Sequence, residues 1–379
     1  MPNIISRKFA EKDKEELNAL YNLVAGRSRT VDKFEWEWLA TPEGWGSMWL
    51  LEDTDAIKII GHHGLIPIKF SYFGSPILAG KTENTVMHPG YRGKGIYYPF
   101  EVKFCEEAKD RFQLLFTTWA VAEHGRVRLK LGYNIVGRYA HYIKATKRSY
   151  LDKFLVNKIK GRVHNRFIAA LLIGISKAGS LFLMPFFSRK GSLDTAVRLE
   201  RVTSIETVAE ELDKFWEGNK GKFGITADRN SRYLKWRIFD NPSIAYEFFL
   251  ARRQSDVVGY VITRNDGEGR GVITDLIVSN NDEKIFNTIL DGAVSRFKES
   301  GIHVIQFPTL SSDNFLNKAL RRNGFVSFSI LQRIGRRVIG RERQESVLMA
   351  KALDDKLAPA KVADPACWYY TDILTEGIQ

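Results

Sequence analysis

A glycine turn between a predicted strand and a predicted helix is the part of the sequence that points most directly to chemistry. The stretch 82–100 reads TENTVMHPGYRGKGIYYPF, in which an apolar-polar alternation ends at Val86 and Met87 and a helical pattern begins after Gly95. Glycines let consecutive backbone N–H groups face one anion, and a helix N-terminus adds partial positive charge. Arg92 and Lys94 add full charges beside the turn. This combination predicts a phosphate-binding loop.

Two better-known glycine loops do not fit these residues. A P-loop continues from its last glycine with Lys and then Ser or Thr, whereas Gly95 is followed by Ile96 and Tyr97. The dinucleotide motif G-x-G-x-x-G requires a glycine where Tyr98 stands. Neither a nucleoside triphosphate loop nor a dinucleotide loop is therefore predicted.

The segment from His88 to Ile96 resembles the acyl-CoA pyrophosphate loop of the GCN5-related N-acetyltransferases (GNATs). The pattern of that family is Arg or Gln, two residues, Gly, one residue, then Gly or Ala, and Arg92 and Gly95 match it. Tyr97 stands at the last small position and departs from the pattern. The resemblance implies acetyl-CoA as co-substrate. The residues that it assigns to the acyl-CoA site are Val86, Met87, His88, Arg92, Gly93, Lys94, Gly95, Ile96 and Tyr97.

Composition indicates a folded protein of more than one domain with anionic partners. The chain has 379 residues, which favours two or three domains, and Lys and Arg outnumber Asp and Glu by 57 to 44. A net charge of +13 suits CoA, nucleotide-linked sugars, nucleic acid or an acidic membrane face, although a solvated basic surface would look the same. Cys105 and Cys367 have no metal-ligand spacing, so neither a disulfide framework nor a metal site is expected. The N-terminus lacks a signal-peptide pattern, which predicts a cytoplasmic protein.

The order of elements around the glycine loop also resembles an acetyltransferase domain, over residues 1–140. A helix over 13–25 precedes a series of short strands, and the loop leads into a helix, a strand over 113–119 and a short helix over 127–133. In that family the strands flanking the helix after the loop splay apart, and the pantetheine arm lies between them. The resemblance therefore implies a cleft at the end of the strand that carries Val86.

A second copy of this plan is predicted over residues 201–335. Trp36 and Trp236 are each followed six residues later by Pro, and Gly61 corresponds to Gly259. Where the first copy has its glycine loop, the second has Asn-Asn-Asp-Glu-Lys at 280–284, whose acidic residues would repel a pyrophosphate. The alternative is a chance overlay. The predicted fold is α/β with a mixed sheet, as two tandem GNAT-like domains with one acyl-CoA site, in the first.

Two segments match neither copy. Residues 141–200 form a basic linker with an apolar stretch, FIAALLIGISKAGSLFLMPFF, that Lys177 divides. A buried inter-domain helix is predicted there, with peripheral membrane contact through 144–187 as the alternative. The last segment, 336–379, is predicted to contain a strand and an aromatic tail that packs on a domain. Tandem domains with such a tail resemble GNATs found with bacterial surface-polysaccharide genes.

Acyl transfer to an amine needs a proton acceptor for the amine and a donor for the leaving thiolate. Glu83, on the strand before the loop, is the predicted base, with a solvated strand carboxylate as the alternative. By resemblance to the family, His124 and Tyr133 are the acid candidates, and core packing is the alternative for Tyr133. Backbone N–H groups around 86–88 would polarise the thioester carbonyl. The carboxylate of Gln379 is a further candidate, because some multi-domain relatives bring their C-terminus to the active site.

The predicted function is N-acetylation of a small, anionic amine, an amino sugar or sugar nucleotide of surface-polysaccharide synthesis. One alternative is a peptidoglycan-type aminoacyl transferase, in which the basic linker would bind charged tRNA. Another is a non-catalytic binding protein whose loop, with Tyr97, no longer holds CoA. DNA is not an expected partner, and the sequence assigns neither the acyl-chain preference nor the oligomeric state.

Overall fold

Strands and helices follow one another in two similar series along the chain. The computed structural model describes residues 3–118, 122–150, 152, 184–312, 314–327 and 346–375. The strands are β1 (Ile4–Lys8), β2 (Ser47–Asp53), β3 (Lys58–Tyr72), β4 (Ser75–Met87), β5 (Leu114–Thr117), β6 (Asn134–Ala145), β7 (Val197–Val202), β8 (Ile225–Ala227), β9 (Tyr246–Arg253), β10 (Asp256–Asn265), β11 (Arg270–Val278), β12 (Val304–Leu310), β13 (Val326–Ser327) and β14 (Val347–Ala352). The helices are α1 (Lys14–Ala25), α2 (Val31–Trp38), α3 (Tyr97–Ala108), α4 (Ala122–Lys130), α5 (Ala209–Asn219), α6 (Ser231–Leu234), α7 (Glu283–Glu299), α8 (Phe315–Arg322) and α9 (Pro359–Ala363).

One mixed sheet runs through both series, in the order β1-β2-β3-β4-β5-β14-β6-β12-β11-β10-β9-β7. The long strand β6 joins the two halves, because its first part pairs with β14 and its second part, Tyr139–Ala145, pairs with β12. β14 comes from the last part of the chain and lies between β5 and β6. The two halves therefore exchange strands. The boundary expected at residue 140 falls inside β6, and the segment 336–379 supplies a strand to the first half.

The parallel pair β4–β5 opens a gap in the first half of the sheet. Its pairing covers Ala79–Lys81, and from Thr82 onward β4 has no pairing with β5 in the described chain. On its other side β4 stays paired with β3, with a bulge at Asn84, whose φ is 52°. The second half repeats this arrangement, since β11 and β12 are parallel and pair over Arg270–Val272.

Two tryptophans related by the tandem overlay meet at the contact between the halves. Trp36 and Trp236 stack with ring centroids 5.4 Å apart, and each indole N–H donates to the main-chain carbonyl of the other, at 2.8 and 2.9 Å. Thr30 and Asn230, also 200 positions apart, are the N-caps of α2 and α6. The overlay seen in the sequence is therefore present in the geometry, as a pseudo-twofold arrangement of the two halves.

The aromatic tail packs on the second half, as the sequence predicts. Trp368, Tyr369 and Tyr370 are buried, and the Trp368 indole donates to the Val362 carbonyl at 2.9 Å. The helix predicted in the linker lies largely outside the described residues, and so does most of the segment 144–187. No helix within the described ranges is long and apolar enough to cross a membrane.

Candidate functional site

The glycine loop of the first half presents unpaired backbone donors. Gly93 and Gly95 have φ of +75° and +74°, a region that residues with a Cβ rarely adopt. In the described part of the chain, the N–H groups of Gly93, Lys94, Gly95 and Ile96 meet no acceptor. Helix α3 starts at Tyr97 with no side-chain cap and no acidic residue in its first turn. The loop and the helix N-terminus thus leave a set of N–H donors for an anion.

A cleft of about 550 Å³ lies directly beside these donors. It is bounded by the end of β4, the glycine loop, the first turn of α3, and one side chain each from α1 and α4. Its lining residues are Val24, Thr85, Val86, Met87, Tyr91, Arg92, Gly93, Lys94, Gly95, Ile96, Tyr97, Tyr98 and Val127. Every residue that the sequence assigns to the acyl-CoA site lines this cleft except His88, which caps the turn before it.

Side chains around the loop hold its shape and leave its charges exposed. The Arg92 Nε donates to the Met87 carbonyl at 3.2 Å, and the Lys94 ammonium lies 4.7 Å from the centre of the Tyr91 ring. The Tyr91 hydroxyl in turn donates to Asp53 at 2.5 Å. Partial burial, together with nearby Lys58 and Arg92, lowers the pKa of His88, and its Nδ1 accepts the Gly90 N–H at 3.2 Å. Both cationic groups of the loop therefore stand at the mouth of the cleft.

The corresponding loop of the second half satisfies its own donors. Asn280 and Asn281 take left-handed φ values of 55° and 53°, and Asp282 caps α7 by accepting the N–H groups of Lys284 and Ile285, at 2.8 and 3.1 Å. A carboxylate of the chain itself therefore occupies this helix N-terminus. The Asp282 carboxylate at this helix N-terminus would repel a phosphate, which is the effect that the sequence analysis expects of the acidic residues there.

The gap between β11 and β12 is filled by the aromatic tail, which the sequence analysis did not foresee. Thr371 bridges to Thr309 of β12, and its hydroxyl donates to Asp275 of β11 at 2.7 Å. The Tyr369 hydroxyl donates to the Leu276 carbonyl. Asp275 is fully buried and also contacts Arg229 at 3.2 Å. The tail thus fills the gap between β11 and β12, which corresponds in the second half to the gap between β4 and β5 in the first.

The three predicted catalytic residues lie in three separate environments. Glu83 lies on β4 in an ion pair with Lys81, and the Lys81 ammonium also donates to the Thr375 carbonyl at 3.5 Å. Tyr133 is buried, and burial raises the pKa of its hydroxyl. His124 belongs to α4, and its side chain lies outside the described residues. Glu83 and Tyr133 do not appear in the lining of the cleft.

His62 and His63 lie on opposite faces of β3, and both are buried. The His62 Nδ1 hydrogen-bonds to the Asn84 carbonyl at 2.8 Å, and its ring meets Trp38 edge-on. His63 stacks on Phe104 with ring centroids 3.5 Å apart. Neither histidine lines the cleft.

A buried ionic cluster lies between α3 and α4, and the sequence analysis missed it. The Glu101 carboxylate contacts His63 Nδ1 at 2.7 Å and Arg128 Nη1 at 3.7 Å, and it accepts a hydrogen bond from the Tyr97 hydroxyl. Burial alone would raise the pKa of Glu101, but His63 and Arg128 outweigh it and lower that pKa to about 2. Tyr97, the departure from the loop pattern, therefore connects this cluster to the wall of the cleft. The signal available in the sequence was a carboxylate on the apolar stripe of a helix.

Comparison with solved structures identifies the fold. A protein from Enterococcus faecalis described as a "probable N-acyltransferase" superimposes with a TM-score of 0.63 at 13% identity, over 93% of this chain and 73% of the other. The fold is that of the GCN5-related N-acetyltransferases. A GNAT from Anabaena variabilis gives a TM-score of 0.59 at 12% identity, over 93% of this chain and 73% of the other. No family model and no curated protein sequence matches this chain.

The tandem arrangement of the GNAT fold is also found in a solved relative. A tandem GNAT protein from the clavulanic acid biosynthesis pathway superimposes with a TM-score of 0.52 at 11% identity, over 93% of this chain and 99% of the other. The chain is therefore two GNAT-like units in a mixed α/β fold. Across the residues that the structure describes, no cluster of His, Cys, Asp and Glu could hold a metal ion.

Proposed function

We propose that the protein is an acyl-CoA-dependent N-acyltransferase with a single donor site, in its first half. The observation that carries this proposal is the contrast between the two loops. The first leaves the N–H groups of 93–96 and an uncapped helix beside a cleft, whereas Asp282 occupies the same position in the second. An uncapped helix N-terminus with glycine N–H groups suits the pyrophosphate of CoA.

The reaction that this site supports is attack of a neutral amine on the thioester carbonyl. Glu83, which contacts Lys81 on β4, accepts the proton that the amine loses. Backbone N–H groups near Val86 and Met87 polarise the carbonyl. Tyr133 and His124 are the acid candidates for the leaving thiolate, and acetyl-CoA supplies the acyl group when it is bound.

The acceptor belongs to the class of anionic amino sugars or sugar nucleotides. The net charge of +13 supports an anionic acceptor. So do Lys81 and Arg237, which come from different halves and both donate to the Thr375 carbonyl, at 3.5 and 2.9 Å. Lys81 is also paired with Glu83, so these two cations support the proposal of an anionic acceptor near the contact between the halves only together with the net charge. The proposed role in surface-polysaccharide synthesis rests on a resemblance. The tandem domains and their aromatic tail resemble GNATs found with bacterial surface-polysaccharide genes.

The test is calorimetric titration of acetyl-CoA into the parent and two matched variants, Gly95→Trp and Gly301→Trp. Gly301 has φ of +76°, against +74° for Gly95, and a Cβ at either position meets no heavy atom within 4 Å. The two substitutions therefore introduce similar backbone strain, and only Gly95→Trp places an indole at the loop. We expect the parent and Gly301→Trp to bind acetyl-CoA and Gly95→Trp to bind at least about tenfold more weakly, a loss of ~1.4 kcal/mol.

Activity is then measured as CoA release in the presence of a panel of amino sugars and sugar nucleotides. A parent that does not bind acetyl-CoA would refute the proposal and favour a non-catalytic protein. Salt-sensitive binding of tRNA by that parent would instead favour an aminoacyl transferase. Equal loss of binding in both tryptophan variants would mean that strain, and not occupation of the loop, is responsible.

A further inference from the structure

The bulge in β4 reverses the direction in which the end of this strand points. Leu78 lies before the bulge, and its carbonyl accepts from the Gln113 N–H at 2.9 Å, on the side of β5. His88 lies after it, and its N–H donates to the Ile60 carbonyl of β3 at 2.8 Å. In a regular strand, residues an even number of positions apart direct their main-chain groups to the same edge. The extra residue at Asn84 therefore shifts the alternation by one position.

This shift decides which N–H group of β4 faces the cleft. Because the His88 N–H points to β3, the main chain of Met87 points to the opposite edge, beyond the part of β4 that pairs with β5 at Ala79–Lys81. The Met87 carbonyl agrees with this direction, since it accepts from Arg92 of the glycine loop at 3.2 Å. Met87 also lines the cleft. Its N–H is therefore directed at the cleft, whereas without the bulge the Val86 N–H would take that direction.

Asn84 is held in the bulge from two sides. Its side-chain amide donates to Glu37 Oε1 of α2 at 2.6 Å, and its main-chain carbonyl accepts from His62 Nδ1 at 2.8 Å. Its φ of 52° is a conformation that asparagine takes more readily than most residues but that still costs free energy. A residue in such a conformation persists only where its surroundings fix it. The contacts with Glu37 and His62 provide that constraint.

Glu37 is itself anchored to the helices of the first half. Its Oε2 accepts from Arg29 Nη1 at 3.0 Å, and Arg29 Nε donates to Asn18 of α1 at 2.7 Å. The Glu37 side chain is fully buried, and a buried carboxylate is costly unless its oxygens are paired. Arg29 pairs with one oxygen and Asn84 with the other. The carboxylate thus joins α1 and α2 to the bulge, and Val24 of α1 lines the same cleft.

We propose that Glu37 and Asn84 are positioning residues of acyl transfer, which hold the bulge so that the Met87 N–H points at the thioester carbonyl. This inference rests on the proposed function. In the step, the amine nitrogen bonds to the carbonyl carbon and the C=O electron pair moves to oxygen, where the Met87 N–H stabilises the negative charge. The carbonyl then re-forms, the C–S bond breaks with its electron pair on sulfur, and the proton of the amine goes to Glu83. Glu37 and Asn84 act through the main chain and contact no substrate.

The test exchanges the two partners of the hydrogen bond between α2 and β4. Asn84→Asp alone places a second carboxylate against Glu37, and Glu37→Gln alone turns an amide N–H₂ group toward either Arg29 or Asn84. The double variant restores a hydrogen bond, with the amide on α2 and the carboxylate on β4, and keeps the net charge of the parent. Each single variant should therefore lose the alignment of the Met87 N–H, and the double variant should regain it.

The first readout is the stretching frequency of the thioester carbonyl in bound acetyl-CoA. It is taken from infrared difference spectra of acetyl-CoA with and without an isotope label at that carbon, and it needs no acceptor. A hydrogen bond to the carbonyl oxygen weakens the C=O bond and lowers this frequency. We expect a low frequency in the parent and the double variant and a higher one in each single variant. The dissociation constant of acetyl-CoA should change by less than about threefold, because the glycine loop is unchanged.

Asn84→Gly and Asn280→Gly are the matched pair for the second readout. Asn280 has a φ of 55°, and its side chain also forms a hydrogen bond, with Lys222. Glycine keeps the left-handed backbone at both positions. Asn84→Gly should raise the carbonyl frequency and lower kcat about tenfold or more, measured with the amino sugar that releases CoA fastest. Asn280→Gly should do neither. This pair decides the question if Asn84→Asp fails to fold.

The outcomes separate positioning from a purely structural role. A structural role for Asn84 would lower the stability of the single variants and the fraction that binds acetyl-CoA without moving the carbonyl frequency, and it would overturn the inference. So would single variants that lose the low frequency while the double variant fails to regain it. A parent that binds no acetyl-CoA overturns the proposed function, and this inference with it, whereas the first two results leave the proposed function standing.

Discussion

The stacked pair of Trp36 and Trp236 predicts how strongly the two halves depend on each other. Both side chains are buried, and each indole donates to the carbonyl of the other residue, at 2.8 and 2.9 Å. Truncating a buried aromatic side chain to alanine lowers the free energy of unfolding by about 3–5 kcal/mol. Leaving a buried carbonyl unpaired lowers it by about 1–3 kcal/mol more. Trp236→Ala should therefore lower the free energy of unfolding by about 4–8 kcal/mol, and Trp36→Ala by a similar amount.

The assay is urea unfolding followed by far-ultraviolet circular dichroism, with Trp45→Ala as the matched control. The Trp45 side chain is 50% exposed, so its truncation should change stability by no more than about 0.5 kcal/mol. Trp236→Phe keeps a ring in the stack and removes one donor, for an expected loss of about 1–3 kcal/mol. Because the two indole rings stack on each other, either single substitution already removes the ring contact, so the double alanine variant should lose less than the sum of the single variants.

Three results would contradict this account of the contact between the halves. Losses below about 1 kcal/mol for either single alanine variant would mean that the exchanged strands alone hold the halves together. Strictly additive losses would mean that the indoles act separately. A separate early transition in Trp236→Ala, with the first half still folded, would contradict the continuous sheet through β6.

Two further predictions follow from buried charged and titratable groups. Burial lowers the pKa of His62 to about 3. Below pH ~6.5 the unfolded chain therefore binds a proton at this residue that the folded chain does not bind. The free energy of unfolding should then fall by up to ~1.4 kcal/mol per pH unit, down to about pH 3. In urea titrations across this range, His62→Gln should remove that slope and the exposed His141→Gln should not; unchanged slopes in both would exclude His62. Asp275→Asn should destabilise the protein by about 3–5 kcal/mol, because it leaves Arg229 as an uncompensated buried charge, and should expose the tail to proteases. Asp240→Asn, in an exposed ion pair, is the control for melting temperature and limited proteolysis, and equal behaviour of the two variants would contradict the prediction.

Features set by neighbouring residues could be predicted from the sequence. The glycine loop is one, because the left-handed φ at Gly93 and Gly95 and the start of α3 depend on residues a few positions apart. The loss of the second loop is another, because Asp282 acts on its own helix N-terminus. The tandem overlay was visible because Trp36 and Trp236 lie at equal distances from other matching residues. Each of these features leaves a local pattern that can be read without knowing the fold.

Features set by distant residues could not be predicted in this way. The pairing of β14 with β5 and β6 joins strands more than 200 positions apart, and alternation predicts a strand without naming its neighbour. Glu101 and Arg128 are separate charged residues on two helices until the fold brings them within 3.7 Å. Tyr133 was chosen as an acid candidate by resemblance, while its burial and the neighbouring guanidinium became visible only in the structure.

The second half is a GNAT-like unit whose cleft is filled by the C-terminal tail of the same chain. Two separate features close it: Asp282 occupies the helix N-terminus, and Thr371 fills the gap between β11 and β12. Opening one would leave the other in place, so a single substitution cannot restore a donor site there. In the same tail the Thr375 carbonyl accepts from Arg237 of the second half and from Lys81, the partner of Glu83. The tail thus contacts both halves, because Thr371 lies in the gap of the second half and Thr375 meets Lys81 beside Glu83 in the first.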